Sequence, residues 1–534
     1  MAESAIASSP KGADPDARLY RALRAHPYLA VTALLAAIAG VNLLTLMRYP
    51  QPFVDEGWLA SRAWALLHTG RAFSSLDHGV WDRYEGYWTF PPLLGTWFQA
   101  LGIQVLGLSL FSVRLVSLAF GLVLLLIVFT IGKTLYGQRT GLLAVLLVAT
   151  SMPFQVSAHW ARHDVIVAAF AYGALALFVT EQRDSRYPIR SLGAGLALGL
   201  AFEVNPNAVI FIPAMCTLYL LAHGRSFLSA RRLWAFAVGL GAGFAFFVAV
   251  HVAPYPQTYL AIMSLSFTSW RTPPLLIWDV QVWQRAVSDM WWLMVWAMLG
   301  AQLPVLAAAI ALLARRRANA DRLLLSFSGV VLLAFIALLS FKSTYYAILF
   351  GPALSLIAAV FLDGLSRTPW RISRSPWAFL GTAVPWSLTL AVMFLGQIIP
   401  FTADQSVDLP AVGATLRQVV RPGETAMGSQ TYWLCLPDRK YLSWGQLVYY
   451  RHYAPGSTLG DALREFRPDI FIIDGQMDDY IASEKPQNSP LREYLYLPQA
   501  ELETFLHTHA SLVASIDTQY LGPMRIYRID WGSD

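Results

Sequence analysis

Long apolar stretches broken by short arginine-bearing segments fill the chain up to about residue 400. About 20 apolar residues cross a bilayer as a helix. The pattern predicts a first span over 28–47 and a mixed segment over 48–110. Further spans are predicted over 112–132, 140–158, 165–181, 191–204, 207–222, 233–252, 290–313, 323–341, 345–362 and 377–399, eleven in all. Within the mixed segment, Gly57–His68 repeats apolar residues at helical spacing (Leu59, Ala63, Leu66, Leu67). Trp81, Tyr84, Tyr87 and Trp88 then alternate with Asp82, Arg83 and Glu85, as in an interfacial aromatic belt. Pro91-Pro92 opens another helical stretch that ends at Gly107.

Basic residues orient these spans, because Lys and Arg collect in cytoplasmic loops. If 91–107 lies along the interface, Lys133 and Arg139, then Arg183, Arg186 and Arg190, then Arg225, Arg231 and Arg232 share one side. Arg315, Arg316, Arg317 and Arg322, and Arg367, Arg371 and Arg374, join them there. A spanning 91–107 would reverse every later cluster. The reading is therefore a polytopic α-helical membrane protein of the cell (plasma or inner) membrane, with interfacial helices in its first outer loop and a second outer loop over 253–289. The N-terminal tail, 1–27, is expected to be disordered and cytoplasmic; Arg18, Arg21 and Arg24 precede a signal anchor.

Composition agrees. The 534 residues are 56% hydrophobic and 13% charged, about half the charge of a soluble domain. The net charge of +6 reports topology in such a chain and gives no case for a nucleic-acid partner. Cys216 and Cys435 lie in different regions, so neither a disulfide nor a metal spacing is expected.

From 401 onward charges, turns and short β-rich runs appear. Strands are predicted over Glu424–Ser429, Asp469–Asp474, Leu512–Ile516 and Met524–Ile529, with helices over Pro410–Val420 and Ser457–Phe466. This is a soluble C-terminal α/β domain, 401–534, on the outer face, and none of its helices opens with a glycine-rich phosphate loop. No cofactor is expected.

The topology sorts the polar outliers onto that same outer side. They are Asp55-Glu56 after the first span, Arg162-His163-Asp164, Glu203, Asn205 and Asn207 beside Pro206, and Lys342 with Tyr345 and Tyr346; Arg271, Asp279 and Arg285 lie in the second outer loop. A charge at membrane depth costs about 2.5–3.5 kcal/mol on insertion scales and is usually functional. Each group also has a structural reading. Asp55 or Glu56 suits the N-terminus of the helix over 57–68, and Asp164 the start of the fourth span. Lys342 suits an interfacial anchor, and Glu203 and Asn207 suit satisfaction of the turn broken at Pro206.

The chemistry these residue types permit is sugar transfer from a lipid phosphate. A carboxylate takes the proton of an attacking hydroxyl. Lys342 and Arg162 stabilise the charge growing on the departing phosphate, and His163 bonds that phosphate or Asp164. A single base opposite the phosphate inverts the anomeric centre, whereas retention needs a second carboxylate on the other face. Adjacent Asp55 and Glu56 suit inversion, with Asp55 as base and Glu56 as a cap or orienting group.

The ordered set Asp55-Glu56, Pro91-Pro92-Leu93-Leu94, Val113-Arg114-Leu115, Arg162-His163-Asp164, Gly199-Leu200-Ala201-Phe202 with Pro206-Asn207, and Lys342-Ser343-Thr344-Tyr345-Tyr346 resembles the C-type glycosyltransferases. The nearest branch holds protein O-mannosyltransferases and the lipid A aminoarabinose transferase, and the likeness covers 28–400. The resemblance implies a polyprenyl-phosphate sugar donor, an acceptor hydroxyl on a glycan, lipid or protein, Asp55 as base and Asp164 as a second acidic position. The chain departs from that pattern at Phe90, where relatives place Lys or His, leaving Arg83 as a substitute contact, and at Glu203-Val204-Asn205. Two other classes stay open: a transporter of a polyprenyl-linked glycan, which would carry mid-bilayer charge and internal repeats, and an oligosaccharyltransferase moving a whole glycan.

Overall fold

A computed structural model describes residues 27–77, 92–182, 188–269, 280–296, 302–339, 342–367, 376–482, 496–518 and 521–532. The N-terminal tail, Arg83 and most of its aromatic run, Arg271 and Asp279 lie outside the described residues.

The first ten helices are α1 (Pro27–Thr45), α2 (Val54–Thr69), α3 (Leu93–Leu106), α4 (Leu110–Leu135), α5 (Gln138–Ala149), α6 (Met152–His159), α7 (Asp164–Glu181), α8 (Ile189–Val204), α9 (Phe211–His223) and α10 (Arg231–Phe247). Among the described residues, seven segments are long and apolar enough to cross a bilayer: Tyr28–Thr45, Leu110–Leu135, Asp164–Glu181, Pro206–Leu228, Arg231–Val252, Asn319–Leu338 and Ala383–Thr402. α5 and α6 form an eighth candidate, bent by 66°. The chain is thus a multi-pass membrane protein. The remaining stretches expected as spans are shorter helices: 16 residues in α8, 14 in Leu303–Arg316 and 17 in Gly351–Arg367. Helix α3, also 14 residues, reaches about 21 Å at 1.5 Å per residue, short of a hydrocarbon core of about 30 Å.

α8 and α10 approach at van der Waals limits. Gly195 and Gly199 face Gly239 and Gly243, and a Cβ on Gly195 would fall 2.0 Å from the Phe236 carbonyl oxygen. On Gly199 it would fall 2.7 Å from the Gly243 Cα. Lipid supplies no hydrophobic drive between helices, so small residues four apart let backbones gain contact instead.

The C-terminal region folds around a five-stranded sheet ordered β2-β1-β3-β7-β6. Its strands are β1 (Thr425–Gly428), β2 (Lys440–Ser443), β3 (Ile470–Ile473), β6 (Ala510–Thr518) and β7 (Gly522–Ile529); β4 (Ile481–Ala482) and β5 (Leu497–Pro498) pair separately. β1 runs parallel to β2 and β3, while β7 is antiparallel to β3 and β6. The helices Leu409–Val419 and Leu459–Phe466 stand within a residue or two of their predicted bounds. Leu459, Leu463 and Phe505 pack on one layer of the sheet. On the other layer Tyr432, Trp433 and Leu436 share a single core with Ala60 and Ala63 of α2. The sheet domain is therefore packed directly onto the acidic helix.

Candidate active site

Glu56 is sealed. Its Oε1 accepts from Arg114 Nε at 2.8 Å and from the Ala161 amide at 2.8 Å. Its Oε2 accepts from Arg114 Nη2 at 2.8 Å and from the Phe53 amide at 2.9 Å. Arg114 Nη1 donates to the Leu46 carbonyl at 2.7 Å, and neither side chain is more than 1% exposed. The carboxylate thus caps α2 and ties it to α4 and to the α6–α7 turn. Every lone-pair direction is used, so Glu56 holds the fold and, among the catalytic candidates, is the one whose oxygens are all engaged.

Asp55, one residue earlier, keeps 29% of its side chain exposed and contacts Arg162 Nη1. Arg162 Nε donates to Asp164 Oδ2 at 2.8 Å. The guanidinium lies 3.8 Å from the Tyr345 ring centroid and 5.6 Å from that of Phe53. Its turn is fixed by Ser117, whose hydroxyl donates to the Arg162 carbonyl at 3.2 Å. Trp160 stacks on Phe53 at 4.7 Å and donates to the Gln51 carbonyl at 2.8 Å. Asp164 is 2% exposed and stands behind Arg162. One cation therefore bridges two carboxylates, and only Asp55 faces outward.

His163 does not bond Asp164. Its ring packs against α3, where a Cβ on Gly95 would come within 2.7 Å of it. Neither ring nitrogen makes a hydrogen bond of normal length among the described residues. Burial, then Arg162 and Arg62, push the imidazole down to about 3, so it is neutral at physiological pH.

Glu203 is fully buried and pairs with His251 Nε2 at 2.7 Å; the Leu93 amide at the start of α3 points at both, 3.3 Å from each. His251 is a member of this group that sequence reading missed. It stands in a π-helical turn, Val248–Val252, which from sequence reads as the end of an apolar span. Asn205, not Asn207, caps the turn at Pro206: its Oδ1 accepts the Asn207 amide at 3.0 Å. Asn207 is buried beside it.

Lys342 is held at a helix end. Its Nζ donates to the carbonyls of Leu339 and Ile336, the frayed end of Asn319–Leu338. Burial draws the ammonium down to about 8, against the opposing pull of Asp289. Lys342 thus makes a helix-end contact, as the attraction of a cation to free carbonyls predicts. No group of three or more His, Cys, Asp or Glu side chains gathers in metal-binding geometry among the described residues.

Bent and short apolar helices, a carboxylate after the first of them and a sheet domain packed beside it make up a fold shared with solved C-type glycosyltransferases. A family model described as dolichyl-phosphate-mannose-protein mannosyltransferase matches residues 91–253. ArnT from Cupriavidus metallidurans, solved bound to undecaprenyl phosphate, superposes with a TM-score of 0.58 at 16% identity over 93% of this chain and 97% of that one. The Archaeoglobus fulgidus oligosaccharyltransferase superposes at 0.53 with 12% identity, over 84% of this chain and 70% of that one. The mycobacterial arabinofuranosyltransferase AftD superposes at 0.51 with 15% identity, over 94% of this chain and 40% of that one. A search of curated proteins by sequence matched none.

Proposed function

We propose that this protein is an extracytoplasmic-face glycosyltransferase that moves a sugar from a polyprenyl-phosphate donor to an acceptor hydroxyl with inversion. The observation that carries this reading is the asymmetry of the acidic pair: Glu56 is locked by four donors while Asp55 is partly exposed and oriented by Arg162. The likeness to ArnT, solved with undecaprenyl phosphate, and to the archaeal oligosaccharyltransferase, solved with dolichol phosphate and a peptide, supports a lipid-phosphate donor.

In the proposed step the acceptor oxygen attacks the anomeric carbon and passes its proton to Asp55. The bond from that carbon to the phosphate oxygen breaks, and the electron pair leaves with the polyprenyl phosphate. Arg162 supplies positive charge beside the reacting atoms. Retention would need a second accessible carboxylate, and neither Glu56 nor Asp164 is accessible. The orientation that places Asp55 and the sheet domain outside rests on the arginine distribution.

The test is incubation of purified protein with radiolabelled polyprenyl-phosphate sugars and native-host membranes. Asp55→Asn is expected to lower the transfer rate by about 10²–10⁴-fold, the range for a lost general base. Full activity in that variant removes Asp55 from the mechanism. The likeness to the oligosaccharyltransferase keeps whole-glycan transfer as a second reading, and label from oligosaccharide but not monosaccharide donors would select it.

A further inference from the structure

The sheet domain meets α2 through three contacts that bracket Asp55. At Gly57 the helix lies so close to the domain that a Cβ would fall 2.0 Å from the Gln430 carbonyl oxygen and 2.6 Å from its carbon. Both are backbone atoms, so no side-chain rotation relieves the clash. Gln476 Nε2 donates to the Pro52 carbonyl at 3.0 Å, just ahead of the helix. Gln446 Nε2 donates to the Leu76 carbonyl at 2.9 Å, beyond the helix end.

The two contact elements nearest Asp55 are themselves tied together by one buried carboxylate. Asp474 Oδ1 accepts the Met477 amide at 2.9 Å, capping the turn that carries Gln476. Its Oδ2 accepts the Tyr432 hydroxyl at 2.8 Å, in the 3-10 turn that begins at Gln430. The link from sheet domain to acidic helix is thus tied together by the buried Asp474 and Tyr432 side chains. Apolar burial alone would hold the domain on α2 in more than one register, whereas amide donors aimed at single carbonyls specify one.

We propose that the C-terminal domain is a positioning part of the active site: the Gly57–Gln430 contact and the Gln476–Pro52 bond set α2 so that Asp55 meets Arg162 and an incoming hydroxyl. This deepens the reading of Asp55 as base and rests on it. A displacement of about 1 Å at a reacting group is enough to cost on the order of 10²-fold in rate. Gly57, Gln430 and Gln476 are positioning residues, since none touches the reacting atoms.

The test uses full-length protein in nanodiscs. Gly57→Ala and Gln476→Glu are each expected to lower kcat at least tenfold, with KM for the radiolabelled polyprenyl-phosphate sugar within about twofold. The same two substitutions are placed in an Asp55→Cys background and labelled with a water-soluble maleimide, counted over the background from Cys216 and Cys435. Labelling of residue 55 is expected to change severalfold in both, whether or not a transferred sugar has been found. Gln476→Glu keeps side-chain volume and removes the donor, so it decides the matter if Gly57→Ala does not fold. Wild-type kcat together with unchanged labelling at residue 55 overturns the proposal. Inactive Asp55→Asn with fully active Gly57→Ala and Gln476→Glu overturns it while leaving the base assignment standing. Active Asp55→Asn removes the base assignment itself.

Discussion

Adjacent carboxylates at 55 and 56 differ in everything but chemistry. Glu56→Gln leaves Arg114, 0% exposed, as an uncompensated buried charge. Breaking a buried pair in this way costs about 3–5 kcal/mol. The variant is expected to lower the thermal midpoint sharply in detergent, whereas Asp55→Asn leaves the midpoint unchanged and removes the rate. Equal midpoints for the two variants would contradict the division of roles. Asp474 supplies a pH dependence. Burial raises its carboxyl from the usual 3.8 to about 6, so the folded chain holds that proton more tightly than the unfolded chain does. The resulting stability is complete below about pH 4 and is lost as pH rises through about 6, a change of about 3 kcal/mol at 1.36 kcal/mol per pH unit. Wild-type stability relative to Asp474→Asn is expected to fall over that window and to stay flat above about pH 7. A difference that is flat from pH 4 to 8 contradicts the assignment.

Elements show where periodicity carried information and where it did not. The α8–α10 contact depends on missing side chains, so Gly199→Ile is expected to separate the helices and cost about 1–3 kcal/mol, the usual range for overpacking. At Gly241, by contrast, a Cβ would meet nothing within 4 Å; Gly241→Ala is expected to change stability by no more than about 0.5 kcal/mol. Thermal midpoints of the two variants check the pair. The four-residue spacing is present in the sequence, but it names a close approach without naming the partner helix. The predicted strands over Glu424–Ser429, Asp469–Asp474 and Met524–Ile529 match β1, β3 and β7. β2 was not legible: four residues give no alternation to read, and Lys440–Ser443 is a strand because β1 supplies its hydrogen bonds. Helix α3 was legible as a helix opening after Pro91-Pro92 and ending at Gly107. The expected span at 345–362 begins instead with a 3-10 turn, Thr344–Leu349, that brings Tyr345 to Arg162.

At the scale of the molecule, the sheet domain and the helical bundle share a core through α2, which makes them one mechanical unit. Variants at Gly57 and Gln476 test that unit directly. The sequence alone determined that the chain is a multi-pass helical protein with a small α/β domain, because transfer free energies add along a run and arginine bias adds across loops. It also marked Asp55, Glu56, Arg162, His163 and Asp164 as outliers, because polar groups among apolar runs are costly without a purpose. Only the tertiary structure shows how completely Glu56 is sealed and that Asp55 stays partly exposed beside Arg162. Beyond the local Phe53 amide, the donors that seal Glu56 lie 58 and 105 residues away, and Gln476, which bonds Pro52 ahead of the helix, lies 424 residues from Pro52. Hydrogen bonds are short-ranged in space and indifferent to separation along the chain, so the local capping position of Glu56 is legible in the sequence while its distant donors are not.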